Sequence, residues 1–303
     1  MLREYAVEPS LLGTFADARY FLEKFGVERG RLIADYPGGW PMSVLTALQA
    51  RPVEVQRVEI WLDNLRHAIV RRPRSTYTSE RPWLEQAIEE DARERGREFD
   101  FILSDGVERT PKVLDGRKVD EDDANWAAPT DKIIARTPAE MAKVVRPLLR
   151  IAKRIRFVDP YFDGSLPKRA PMLEFVRAAV AGNRHGSAPR IEIHSALQQR
   201  PRGLGDPPRA APSLHAMQQD LQRGVEVHYS QWWQRPCGEQ FHNRYVLTDV
   251  GGIDFGAGLD AHPGATDTVG RLSRAVSQAL WARLDDGSAL FEREVVHLRL
   301  YRP

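Results

Sequence analysis

From residue 137 onward, short runs rich in β-branched and aromatic residues alternate with helical segments, and no other feature restricts the fold as much. Strands separated by helices call for a mixed α/β sheet with helices packed on its faces. Thr137-Pro138-Ala139-Glu140 has a capping-box shape with Pro at the first helical position, and it opens a helix carrying Met141, Val144, Val145, Leu148, Leu149 and Ala152. The periodicity predicts strands at 155–159, 191–196, 225–229, 244–249, 251–258 and 294–301. Helices at 173–181, 214–223 and 273–284 fall between them.

The first third reads differently. Leu12, Phe15, Tyr20, Phe21 and Phe25 recur near a 3.6-residue period, and residues 55–70 and 83–96 repeat that spacing, so residues 1–130 are expected to form a mainly helical domain with one strand at 99–105. The polar stretch 110–131 contains Asp120-Glu121-Asp122-Asp123, expected to be a solvated linker, and the domain boundary is placed there, giving 1–130 and 131–303. A chain of 303 residues suits two domains at about 150 residues each.

Composition removes several classes of function. Lys and Arg total 44 against 42 Asp and Glu, so net charge does not announce a nucleic-acid binder. The single cysteine, Cys237, excludes an internal disulfide framework and a cysteine-rich zinc site. No stretch of 18 consecutive apolar residues occurs, and the first residues are charged where a signal peptide needs an apolar core. The expectation is a cytoplasmic protein with no membrane association. His194 and His228 lack acidic or cysteine companions at ligand spacing, so no metal and no cofactor are expected.

One spacing carries chemistry. His242-Asn243-Arg244, followed by Tyr-Val-Leu-Thr and Asp249, reads H-x-R-x4-D at the start of an apolar strand. Alternation would put His242, Arg244 and Val246 on one face. An imidazole beside a guanidinium suits phosphoryl transfer: the first acts as nucleophile or general acid, and the second stabilises charge on non-bridging oxygens. Asp249 is the candidate to accept an imidazole N–H, within the chain or from a second subunit.

This region resembles the phospholipase D superfamily, whose signature H-x-K-x4-D is followed six residues later by a G-S-x-N-like turn. Here Gly256-Ala257-Gly258-Leu259-Asp260 stands at that place, and the order from Asp159-Pro160-Tyr161 to the strand VEVHY is also similar. The resemblance covers about residues 137–303. It implies a phospholipase D-like mixed sheet, a metal-independent phosphodiesterase and a phosphohistidine at His242. The chain departs from the pattern in having Arg244 for Lys, Ala257 for Ser, and Asp260 where a carboxylate would repel phosphate unless it points elsewhere. The family uses two histidines and this chain has one full motif, so the resemblance implies a homodimer pairing two copies of His242. His297-Leu298-Arg299 repeats only the triplet.

Other residues have two readings each. Trp232, Trp233 and Arg235 either shape the mouth of a substrate cleft or pack between strand and loop; Trp233, Arg235 and Asp260 are carried as substrate-binding candidates. Asp159 and Tyr161 sit at a strand's C-terminal end, where functional groups gather, yet an Asp-Pro turn explains them equally well. Eight basic residues from Lys132 to Arg156 form either a phosphate-backbone stripe or a solvated helix face. With the arginine-rich loop 200–209, that stripe favours nucleic acid over lipid as the phosphodiester. The competing expectation is a non-catalytic phosphate-binding or scaffold protein, docking a protein partner through residues 1–130, within a bacterial multi-protein system such as antiviral defence.

Overall fold

The computed structural model describes residues 1–72, 76–93, 98–181, 188–197, 212–235, 240–285, 287–288 and 290–302. The chain divides into two units, Met1–Pro129 and Thr130–Pro303.

The first unit is α/β. It runs β1 (Arg3–Val7), α1 (Phe15–Lys24), β2 (Arg31–Ala34), α2 (Trp40–Ala47), α3 (Pro52–Leu65), β3 (Ile69–Val70), α4 (Trp83–Arg93), β4 (Phe101–Ser104) and β5 (Val113–Asp115). The strands form a parallel sheet in the order β3-β2-β1-β4-β5. The expected helices are present, but the mainly helical domain is corrected: a sheet organises this unit. Its strands are two to five residues long and mostly buried, too short and too uniformly covered for alternation to appear.

The acidic run is corrected too. Glu121 meets Arg31 at 2.7 Å and Lys24 at 3.0 Å, while Asp123 meets Arg109 at 2.8 Å. Arg31, itself buried, lies 4.3 Å from the buried Trp126 ring, so the stretch packs onto its own unit.

The second unit runs β6 (Asp131–Ala135), α5 (Pro138–Ile151), β7 (Arg154–Val158), α6 (Leu166–Val180), β8 (Arg190–Ala196), α7 (Pro212–Asp220), β9 (Glu226–Gln234), β10 (Tyr245–Thr248), β11 (Gly252–Phe255), β12 (Thr266–Arg271), α8 (Arg274–Arg283) and β13 (Phe291–Tyr301). Its mixed sheet has the order β13-β9-β8-β7-β10-β11-β12-β6. β7, β8 and β9 are mutually parallel, and β10 joins β7 antiparallel with Tyr245 opposite Val158. Two strands, β6 and β12, had no counterpart in the sequence reading. β6 is an edge strand with four of its five residues exposed, so it carries no apolar alternation.

Period-two alternation on β7 sends neighbouring residues into different layers. Phe157 stacks on Phe175 of α6 at 5.5 Å, and Phe175 contacts Phe255 of β11. Val158 instead packs with Trp232, Leu247, Leu280, Leu284 and Phe291 beside α8. Thr137 caps α5 as its sequence foretold, accepting the Glu140 N–H.

Candidate phosphodiester site

Because β10 runs against β7, the residues following β7 and those preceding β10 meet on one rim of the sheet. There Tyr161 and His242, 81 positions apart, share a 2.7 Å hydrogen bond between the phenol oxygen and imidazole Nδ1. Their rings meet edge-on at 5.8 Å and 88°. The Arg244 guanidinium carbon lies 4.9 Å from the centre of the Tyr161 ring. His242 is exposed and Arg244 half-buried. Among the described residues, His242 Nε2 has no hydrogen-bond partner.

The expected strand placement is corrected in detail. β10 begins at Tyr245, so His242 and Arg244 stand on the loop leading into it rather than on one strand face. The Arg244 carbonyl accepts the Phe255 N–H at 3.0 Å, which ties this loop end to β11. Convergence on Tyr161, not strand alternation, brings the imidazole and guanidinium together.

The turn after β7 fixes Tyr161. Asp159 Oδ1 accepts the Tyr161 N–H at 2.9 Å, and the Asp159 carbonyl accepts that of Phe162 at 3.1 Å. Lys168 Nζ donates to the Tyr161 carbonyl and, at 2.9 Å, to Asp163 Oδ2. Asp159 is 2% exposed, and burial raises its pKa against the opposing pull of the Tyr161 N–H, Arg244 and Lys168. Tyr161 is both a residue of the turn after Asp159-Pro160 and the partner of His242. Its position at a strand's C-terminal end was the one signal available.

Asp260 is brought to the same rim, but Arg136 takes its charge: Nη2 donates to Oδ1 at 2.6 Å and to the backbone oxygen at 3.2 Å. The turn beneath is held by Asp267 Oδ1, which accepts the Ala257 N–H at 2.9 Å. Gly258 has φ +133, and a Cβ there would lie 2.5 Å from Asp260 Oδ1, so this turn requires glycine. Burial, then the Asp267 charge, raises the pKa of nearby Asp254.

Three further expectations land elsewhere. Asp249 sits at the opposite end of β10 from His242, where its Oδ1 accepts the N–H groups of Lys153 and Arg154 at 2.9 and 3.2 Å. Trp233 lies on β9, three strands from β10, opposite Glu292 of β13. Arg235 follows that strand with its guanidinium 3.8 Å from Glu292. Trp232 is buried and donates from Nε1 to His194 Nδ1 at 2.7 Å. Indole N–H only donates, so His194 carries its proton on Nε2, 3.2 Å from Glu192. Arg156, at 2% exposure, belongs to this buried network through Glu192 and Asp285 and is no part of a phosphate stripe. The arginine-rich loop 200–209 and Cys237 lie outside the described residues, as does the His297 side chain.

A pocket opens beside His242, between the loop at 240–243 and α8. Among the described residues, no cluster of three or more His, Cys, Asp or Glu side chains is arranged to hold a metal, and no helix is long and apolar enough to cross a membrane. No family model matches the chain, and no curated protein matches it.

Proposed function

We propose that the second unit is a phospholipase D-like phosphodiesterase domain, acting as a metal-independent nuclease through His242. The observation that carries this reading is the hydrogen bond between the Tyr161 phenol oxygen and His242 Nδ1, with Arg244 against the same phenol ring. When Nδ1–H donates to the phenol oxygen, Nε2 keeps its lone pair on an exposed residue. That lone pair attacks phosphorus, forming the N–P bond as the P–O bond to the leaving group breaks. Arg244 stabilises the non-bridging oxygens. A second His242, from a second copy of the chain, protonates the leaving oxygen and then takes a proton from the water that releases the phosphohistidine. The Arg136–Asp260 pair supports the reading because a neutralised carboxylate no longer repels phosphate.

The test is cleavage of nucleic acid and bis-p-nitrophenyl phosphate in the presence of a chelator. His242→Ala should reduce turnover at least about a thousandfold, the scale seen when a nucleophile is removed. Undiminished cleavage by the purified variant would remove the assignment.

The competing reading is a phosphate-binding scaffold whose first unit docks a protein partner. It is favoured by one observation: Arg244 stands where the resemblance calls for Lys, and a guanidinium cannot give up a proton. Binding of a phosphodiester that depends on Arg244, with no phosphohistidine detectable at His242 by mass spectrometry, would select it.

A further inference from the structure

The reaction at His242 makes no use of a deeply buried carboxyl on the same rim. Asp159, the first residue after β7, is 2% exposed, and its Oδ1 accepts the Tyr161 N–H at 2.9 Å. Among the described residues, no hydrogen bond reaches its other oxygen. Asp163 and Asp260 nearby are each matched with a cation, Lys168 at 2.9 Å and Arg136 at 2.6 Å. Asp159 has no such ion pair among the described residues.

Strand pairing gives it a neighbour of another kind. Tyr245 lies opposite Val158 in the antiparallel β10–β7 ladder, so one step further out Arg244 faces Asp159. Residues directly opposite in such a pair have Cβ atoms about 5 Å apart and share a face of the sheet. The guanidinium nevertheless leans onto the Tyr161 ring, 4.9 Å from its centre, instead of closing an ion pair with the carboxylate. Burial raises the Asp159 pKa, the Tyr161 N–H and the charges of Arg244 and Lys168 pull against it, and Asp260 adds to the rise. Asp254 of β11 also feels Arg244, but it lies opposite Tyr245. Arg244 thus stands between a carboxylate that does not bond it and the open side from which phosphate enters. Near a buried carboxylate, charges act with less screening than in open water.

We infer that Asp159 sets the affinity of the site: its carboxylate, facing Arg244, limits how tightly the guanidinium holds a phosphodiester before reaction. Restraint of that kind suits an enzyme, because binding shared equally by substrate and transition state lowers KM without raising kcat. The inference rests on the phosphodiester reading and adds to it a determinant of ground-state binding.

The experiment is calorimetric titration of the full chain carrying His242→Ala with bis-p-nitrophenyl phosphate, a diester of constant single charge. Adding Asp159→Asn keeps an oxygen for the Tyr161 N–H and removes the carboxylate charge, so at about pH 8 the diester should bind about fivefold or more tighter. Loss of a side chain that only held the turn would weaken binding instead. Asp159→Ser is also neutral with an acceptor of its own; it should act in the same direction, and it serves if the amide disturbs the turn. The gain should shrink toward about pH 4.5, because the parent carboxyl, its pKa raised from 3.8, takes up a proton and comes to resemble the amide. Equal or weaker binding by both substituted chains, with binding still lost on Arg244→Ala, would overturn the inference and leave the phosphodiester reading standing. A gain undiminished at the lower pH would also overturn it. Binding indifferent to Arg244→Ala, or absent at millimolar concentration in every chain, would remove the phosphodiester reading and the inference with it.

Discussion

The behaviour of His242 is set by its neighbour rather than by its place in a motif. A phenol oxygen 2.7 Å from Nδ1 fixes the ring's orientation and occupies one of its two nitrogens. Tyr161→Phe keeps the ring that Arg244 lies against and deletes only that bond. Turnover should fall about fivefold to tenfold, the worth of one hydrogen bond, with KM little changed. Asp249→Ala supplies the contrast. Its carboxylate holds two backbone N–H groups at the start of β7, so its loss should lower stability by about 1 kcal/mol in a urea titration while kcat stays near that of the parent. A large kcat defect without loss of stability would return Asp249 to the catalytic machinery. H-x-R-x4-D was legible as a spacing, but the spacing is silent on which members share a rim. The bond that matters joins His242 to a residue 81 positions away, and no local pattern carries that.

At the scale of elements, the buried network bridging β7, β8 and β9 makes a pH-dependent contribution. His194 is 1% exposed, and burial lowers its pKa from the ordinary 6.5 against the opposing effect of Glu192. Glu192 is itself held below its usual 4.5, since its bonds to His194 and Arg156 outweigh the effect of burial. The folded state refuses a proton that the unfolded chain accepts below 6.5. Stability is therefore fully present above that pH and declines as pH falls beneath it, by up to about 1.4 kcal/mol per pH unit for one proton. His194→Gln retains an acceptor and a donor without titrating, so its unfolding free energy should decline less between pH 6.5 and 5.5; parallel slopes would refute the account. Glu192 adds its own loss only near and below 4.5. The same strands show what a sequence can and cannot reveal. IEIHSA declared β8 by alternation, because its polar members Glu192 and His194 join one buried network with Arg156 and Trp232. β2 and β3, at four and two residues, were invisible because a short strand buried on both sides has no period to display. α6 begins at Leu166, seven residues before the predicted start; Pro167 lies in its opening turn, and Pro171 follows inside the helix.

For the whole molecule, the boundary after Pro129 assigns the entire candidate site to one side. Tyr161, His242, Arg244, Asp260 and Arg136 all belong to Thr130–Pro303. A fragment spanning 130–303 should unfold cooperatively and cleave bis-p-nitrophenyl phosphate with a kcat within about threefold of the full chain, a difference under 1 kcal/mol in activation free energy. A folded but inactive fragment would mean that residues 1–129 complete the site. The alternation that announced the second unit and the short parallel strands that hid the first reflect two ways of covering a sheet. The antiparallel seating of β10 against β7 has one more consequence. A chain emerging from the ribosome holds Tyr161 long before His242 is made, and the two meet only after the central strands have paired in register. The Tyr161–His242 pair is thereby withheld from every partly assembled form and completed only by the paired sheet.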